Sequence, residues 1–211
     1  MKTWSDLWGM EYELDYDWIK KRMLTWALNE FADRWFIGES VLDVGSGAHP
    51  VSFVLRKKKN IVTLDFGGNK VRAKSWTHNH THVRGDVHDL LAPSVGSSVN
   101  ELKRKIQTAL CKLVKTASPT FDAIFLLEVL SYIDYKRIIP ELATLLNVGK
   151  SFVIFNSPHR GNDIRHLYHG NWVMQNMQLL DFMKAQPFEQ KACHHLEPFG
   201  RDILTLVLTK K

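Results

Sequence analysis

One stretch constrains this chain more than any other: Val41-Leu-Asp-Val-Gly-Ser-Gly-Ala-His-Pro50. Val41, Leu42 and Val44 make a short β-prone apolar run. Gly45 and Gly47 lack a Cβ, so they can turn the chain sharply and let a ligand approach the backbone. Pro50 suits the first position of a helix, where its missing N–H costs nothing. The pattern predicts a buried strand, a glycine turn and a helix over about residues 50–58. In α/β folds that unit holds a nucleotide-like ligand at the carboxyl end of the sheet.

The residues around the turn narrow the ligand. A dinucleotide fingerprint needs a small residue three positions after the second glycine, and Pro50 stands there. Asp43 would sit badly against a pyrophosphate; a carboxylate at that point suits a cation or an ammonium group. About twenty positions on, Ile61-Val-Thr-Leu-Asp65 reads as a second strand ending in an acid that can accept from both ribose hydroxyls. A third strand candidate near His82-Val-Arg-Gly-Asp86 also closes on an acid. Asp43, Asp65 and Asp86 thus end three successive strands.

With these residues the chain resembles the class I S-adenosylmethionine-dependent methyltransferases. Val41 to His49 is similar to the family's first motif, Asp-x-Gly-x-Gly-x-Gly, with His49 in place of the last glycine. Phe121-Asp-Ala-Ile-Phe-Leu-Leu-Glu-Val-Leu-Ser-Tyr-Ile133 resembles its fourth strand and the start of the next helix. The resemblance covers about residues 37–211, with four matches in order. It implies an α/β, doubly wound, seven-stranded, mostly parallel sheet. The strand order would be 3-2-1-4-5-7-6 with the last strand antiparallel, helices would lie on both faces, and an N-terminal helical cap would precede the sheet. It also implies S-adenosyl-L-methionine as cofactor, with S-adenosyl-L-homocysteine as product. Asp43, Gly45, Ser46, Gly47, Asp65, Phe66, Asp86, Val87 and Glu128 would line its site. Asp65 would take the ribose hydroxyls, and Asp86 the exocyclic amine of adenine.

Residues 1–36 precede the first strand and are dense in aromatics, among them Trp4, Trp8, Tyr12, Tyr16, Trp18, Trp26, Trp35 and Phe36. From about Asp17 to Phe36 the apolar spacing is helical. In the resembling family such segments often cover the active site, so Trp4, Trp8 and Tyr12 are substrate-binding candidates. Residues 92–120 read as an insertion, a Ser-rich loop and then an amphipathic basic helix capped at Ser98 and running to about Thr116. The fourth strand, Ala123 to Leu127, is apolar on both faces and reads as central. A helix over Asp134 to Leu146 follows, with Pro140 dividing it or marking its start and Asn147-Val-Gly149 stopping it. Ser151 to Phe155 reads as the fifth strand, Asn176 to Ala185 as a helix, and Gln190 to Glu197 and Ile203 to Thr209 as the last two strands.

Substrate chemistry belongs at the ends of strands four and five. Relatives carry an acid and a histidine where this chain has Ser131 and Tyr132, so the usual base position is altered. The loop from Asn156 to Asn171 holds His159, Arg160, Arg165, His166, Tyr168 and His169. His159 and His166 are candidate bases, since imidazole titrates near neutral pH, and Tyr132 is a third catalytic candidate. Arg160, Arg165 and His169 are substrate-binding candidates; a guanidinium holds a carboxylate or phosphate in a forked contact. The Asn/Asp-Pro-Pro-Tyr/Phe motif of amino-group methylation is absent, as is a Pro-Cys nucleophile. The expectation is therefore methyl transfer to an O or N atom of a small-molecule acceptor. The alternatives are a protein or RNA substrate, and a methyltransferase-like binding module without activity.

Charge and cysteines set the remaining bounds. The net charge of +6 is scattered over Arg56 to Lys59, Lys103 to Lys115 and the final lysines without interleaved aromatics, which disfavours a nucleic-acid track. Alternating His78, His80 and His82 would share one strand face but have no carboxylate at ligand spacing, so no metal site is expected. The two cysteines are far apart, no run approaches the roughly 18 apolar residues of a membrane span, and no signal peptide is read. These point to a cytoplasmic protein with reduced thiols.

Overall fold

The computed structural model describes residues 28–30, 32–34, 38–47, 50–66, 77–92, 100–116, 119–127, 129–130, 133–156, 176–196 and 203–211. Among them, short apolar runs become seven strands: β1 (Ser40–Val44), β2 (Asn60–Asp65), β3 (Asn79–Arg84), β4 (Phe121–Leu127), β5 (Leu146–Asn156), β6 (Phe188–Leu196) and β7 (Ile203–Lys210). They form one sheet in the order β3-β2-β1-β4-β5-β7-β6. All neighbouring pairs from β3 to β5 are parallel, and β7 runs antiparallel to both β5 and β6. This is the expected order, with the last strand alone reversed.

Burial on both faces explains why β1 and β4 are central. Every residue of β1 is buried, and so is β4 from Ala123 to Leu127. On one face Leu42, Val44, Val62, Leu64, Ile124, Leu126, Phe152 and Ile154 pack against α1 (Glu101–Val114), α2 (Tyr135–Ala143) and α3 (Asn176–Lys184). On the other, Val41, Ile61, Ala123, Phe125 and Val153 meet Leu28, Leu55 and the residues 51–54. Residues 28–30 and 32–34 are helical, which agrees with the helical spacing of the N-terminal segment where it is described. Helix α1 lies on β2 and β3 and serves as the crossover from β3 to β4, the work of the stretch read as an insertion.

At the amino end of the sheet, Asp122 fastens β1 to β4. Its Oδ2 accepts from the backbone N–H of Glu39 and of Ser40 and from the Ser40 hydroxyl. Burial alone would raise this carboxyl, but those donors and Lys150 hold it below the ordinary range.

Local expectations change in four places. The helix expected over 50–58 is a single 3-10 turn, Val51–Val54, after which Leu55 is extended and buried. The chain must return the length of the sheet to start β2. An α-helix advances only about 1.5 Å per residue, and extended backbone covers that distance about twice as fast. Helix α1 is capped by Asn100, whose Oδ1 accepts from the N–H of Leu102 and of Lys103; Ser98 lies outside the described residues. Helix α2 ends at Ala143, short of Leu146, because Lys210 Nζ donates to the carbonyls of Ala143 and Leu146 and holds the exit there. Pro140 is inside that helix and neither starts nor divides it. Strand β5 begins at Leu146, not Ser151. Its register with β4 is broken between the Phe121–Leu146 and Ala123–Ser151 pairs, so Asn147-Val148-Gly149 is a bulge in the strand and not the helix stop.

Candidate functional site

The parallel strands deliver their carboxyl ends to one rim. Asp43 is paired with Thr63 on β2, and Thr63 with His82 on β3, so the three side chains share a face of the sheet. The chain then turns at Gly45, with φ of 67°. A Cβ there would stand 2.5 Å from Val129 Cγ2, so only glycine lets the turn pass beneath the segment after β4. Gly47 also has a positive φ, 63°, but a Cβ built on it meets nothing within 4 Å among the described residues. The turn is therefore packed at its first glycine and open at its second.

Hydrogen bonding within the turn decides what it can hold. The N–H groups of Gly45 and Ser46 both donate to the Leu64 carbonyl, at 2.8 and 3.3 Å. The next N–H, that of Gly47, donates to Asp65 Oδ2 at 3.0 Å. Three successive donors that would cradle a phosphate in a nucleotide loop are engaged internally. An acid stands against the third. These three N–H groups therefore have no free hydrogen to offer a phosphate.

Asp43 is not at the open rim. It is 1% exposed, and its Oδ2 accepts from the Ser52 hydroxyl at 2.6 Å and the Ser52 N–H at 3.4 Å. Burial pushes its carboxyl up from 3.8 to about 6, against the pull of the two Ser52 hydrogen bonds; the nearby Asp65 adds to the rise. The acid predicted to face an ammonium group is engaged by the 3-10 turn behind the glycine loop. Its partner Ser52 carries no sequence signal beyond a hydroxyl nine positions on.

Asp65 ends β2, and Phe66 beside it is an exposed large apolar side chain. Asp86 lies just after β3 and caps a 3-10 turn, Val87–Leu91, by accepting from the His88 N–H. Val87 and Leu90 anchor that turn in the core, so Val87 supports the site by packing. A Cβ on Gly85 would meet Leu102 Cδ1 at 2.7 Å, which shows how closely α1 approaches this turn. The structure thus brings together Asp43, Gly45, Ser46, Gly47, Asp65, Phe66, Asp86 and Val87 around the ends of β1, β2 and β3. His49, Glu128, Ser131 and Tyr132 lie outside the described residues. So do Trp4, Trp8, Tyr12, His159, Arg160, Arg165, His166 and His169.

Two of the three alternating histidines fall on the strand; His78 precedes it, because β3 begins at Asn79. His80 and His82 share a face of β3, and both ring systems reach the Thr63 hydroxyl, His80 Nε2 and His82 Nδ1 each at 2.9 Å. His78 accepts the Lys59 N–H on Nδ1. Burial lowers the pKa of all three. Among the described residues no group of three or more His, Cys, Asp or Glu side chains is placed to hold a metal, and no helix is long and apolar enough to cross a membrane.

No protein-family model matches the chain, and no curated protein matches it in sequence. Solved structures do match it in shape. The N-methyltransferase NodS from Bradyrhizobium japonicum WM9, in complex with S-adenosyl-L-homocysteine, aligns with a TM-score of 0.65 at 16% identity over 96% of this chain and 94% of that one. A putative methyltransferase structure, solved in complex with the Haloferax volcanii Trm112 methyltransferase activator, aligns with a TM-score of 0.65 at 14% identity, covering 100% of both chains. Magnesium protoporphyrin IX methyltransferase from Synechocystis PCC 6803, with S-adenosylmethionine bound, aligns with a TM-score of 0.58 at 11% identity over 100% of this chain and 86% of that one. Strand order, reversed last strand and glycine turn together give this chain the fold of the class I S-adenosylmethionine-dependent methyltransferases.

Proposed function

We propose that this chain binds S-adenosyl-L-methionine and transfers its methyl group to an O or N atom of a small-molecule acceptor. The observation that carries the reading is the glycine turn. Its three successive N–H groups are engaged internally, an acid stands at the third, and among the described residues nothing lies within 4 Å of a Cβ built on Gly47. That favours a nucleoside carried without phosphate over a dinucleotide. The residues fit such a ligand: Asp65 at the ribose, Phe66 and the half-exposed Asp86 at the adenine, and Gly47 under the chain between them. Asp43 acts on the turn from below through Ser52.

When bound, the sulfonium supplies an already activated methyl group. The protein then has to hold the acceptor in line with it, keep water out, and take a proton where the acceptor carries one at neutral pH. His159 and His166 are the proposed bases, with Tyr132 beside them; Arg160, Arg165 and His169 would hold an anionic acceptor. Trp4, Trp8 and Tyr12 would close over it. The alternative of a protein or RNA substrate docked on the basic helix α1 has less support. Lys103 pairs with Glu141, and Arg104 and Lys105 share Glu101, so two carboxylates offset part of that charge within the chain.

Asp65→Ala should weaken S-adenosylhomocysteine binding about tenfold or more, as expected for loss of a charged hydrogen-bond acceptor. Part of that loss would come from freeing the Gly47 N–H. Calorimetric titration reads it, and unchanged affinity would remove Asp65 from the site. For the bases, replacing His159 or His166 by Gln should lower turnover about a hundredfold at whichever residue takes the proton, with cofactor affinity within about twofold. Full activity in both variants would assign the proton to another group.

A further inference from the structure

His88 does more in this structure than follow Asp86. Oδ1 of Asp86 accepts the His88 backbone N–H at 2.9 Å and lies 2.8 Å from His88 Nδ1. On its far side, His88 Nε2 accepts the backbone N–H of Asp134 at 3.3 Å. A backbone N–H can only donate, so Nε2 bears no proton; the hydrogen of the neutral ring is on Nδ1 and points at Asp86. One ring therefore bridges the turn after β3 and the residue that precedes α2. Both donors fall on the same carboxylate oxygen. Among the described residues Oδ2 of Asp86 has no hydrogen-bond partner, and the side chain is half exposed at the rim of the site.

The backbone under this pair is itself fixed. Val87 and Leu90 are buried, and Asn100 Nδ2 donates to the carbonyls of Asp89 and Ala92 at the other end of the turn. A carboxylate so placed can still rotate about its two side-chain bonds, and the two donors on Oδ1 hold it against that rotation. We propose that His88 is a positioning residue for base recognition. By holding Oδ1 it aims Oδ2 at the exocyclic amine of the adenine and ties that end of the site to the segment between β4 and α2. The inference rests on the cofactor reading above and adds to it the residue that holds the base-reading carboxylate in place.

Two ligands separate this role from a merely structural one. S-Adenosylhomocysteine offers the carboxylate an amine, whereas S-inosylhomocysteine presents a carbonyl oxygen at the same place, which a carboxylate repels. Calorimetric titration of the full chain with each should show a preference for the first. His88→Ala should lose about tenfold in affinity for S-adenosylhomocysteine yet bind the inosyl compound within about twofold of the unmodified chain, so the preference collapses. His88→Asn carries an amide donor where Nδ1 stands and should restore most of the preference without the Asp134 link. The His88 side chain is 40% exposed, so neither change removes core packing. Equal weakening of both ligands by His88→Ala, or unchanged binding of both, would overturn the positioning role. If the unmodified chain binds the two ligands equally, base recognition by Asp86 falls while the cofactor reading stands. If it binds neither, the cofactor reading fails and His88 loses its role with it.

Discussion

Gly45→Ala is expected to cost roughly 2–4 kcal/mol of stability, the sum of a left-handed backbone at a residue with a Cβ and an overpacked contact. The backbone there has φ of 67°, and the added methyl would stand 2.5 Å from Val129 Cγ2 and 2.9 Å from its Cβ. Neither atom is the end of a long flexible chain, and Val129 is itself in the core. Gly47→Ala is the matched control. Its φ of 63° carries a similar backbone strain of about 1–2 kcal/mol, but the methyl would meet nothing within 4 Å among the described residues. That open space is where the proposed cofactor would lie, so Gly47→Ala should lose ligand affinity by more than it loses stability. Urea denaturation of both variants, with titration of S-adenosylhomocysteine, checks the pair. Wild-type stability in Gly45→Ala would show that the segment after β4 yields easily. Wild-type affinity in Gly47→Ala would put the ligand away from this turn.

The strands and their ends were legible because each is recorded locally. An apolar run such as Ala123 to Leu127 can be stable only between two covered faces, and an acid after such a run is an acid at the rim. Asp65 and Asp86 fall where that logic places them. Their order in the sheet is another matter; it came from resemblance to a family, since no residue in β3 states that it is an edge strand. What local pattern missed was decided by distance through space. Pro50 and the valines after it permit a helix, but the return to β2 demands extended chain, so only Val51–Val54 turns. Asn147-Val148-Gly149 has the composition of a helix stop, yet Lys210, from the far end of the chain, closes α2 first. Ser52 and His88 were invisible as site residues for the same reason. A serine nine positions after an aspartate, or a histidine two after one, acquires a role only when the backbone folds its side chain back onto that carboxylate.

Asp43→Asn is expected to stabilise the protein at neutral pH, by a margin that shrinks as pH falls. The folded carboxyl titrates at about 6 against 3.8 unfolded, chiefly because it is buried. A raised acid binds its proton more tightly in the folded state, so its ionisation works against folding. That penalty is absent below 3.8, grows between the two values and is complete above about 6. At about 1.4 kcal/mol per unit it amounts to about 3 kcal/mol near pH 7.5. Asparagine is neutral throughout and can keep the Ser52 hydroxyl and N–H on its carbonyl oxygen, so it escapes the penalty with the turn intact. The stability gap between variant and parent should therefore be about 3 kcal/mol at pH 7.5 and about 1 kcal/mol at pH 4.5. His78, His80 and His82 act in the opposite direction. Burial lowers each below 6.5, so the stability they contribute is full above that value and is lost as the pH falls through their folded values. Both proteins will weaken in acid on their account, but that loss is common to the two and cancels in the gap. Urea midpoints measured from pH 4.5 to 8 isolate the Asp43 contribution. A gap that stays flat across that range would mean that Asp43 titrates as an ordinary carboxylate and that the turn over it admits water.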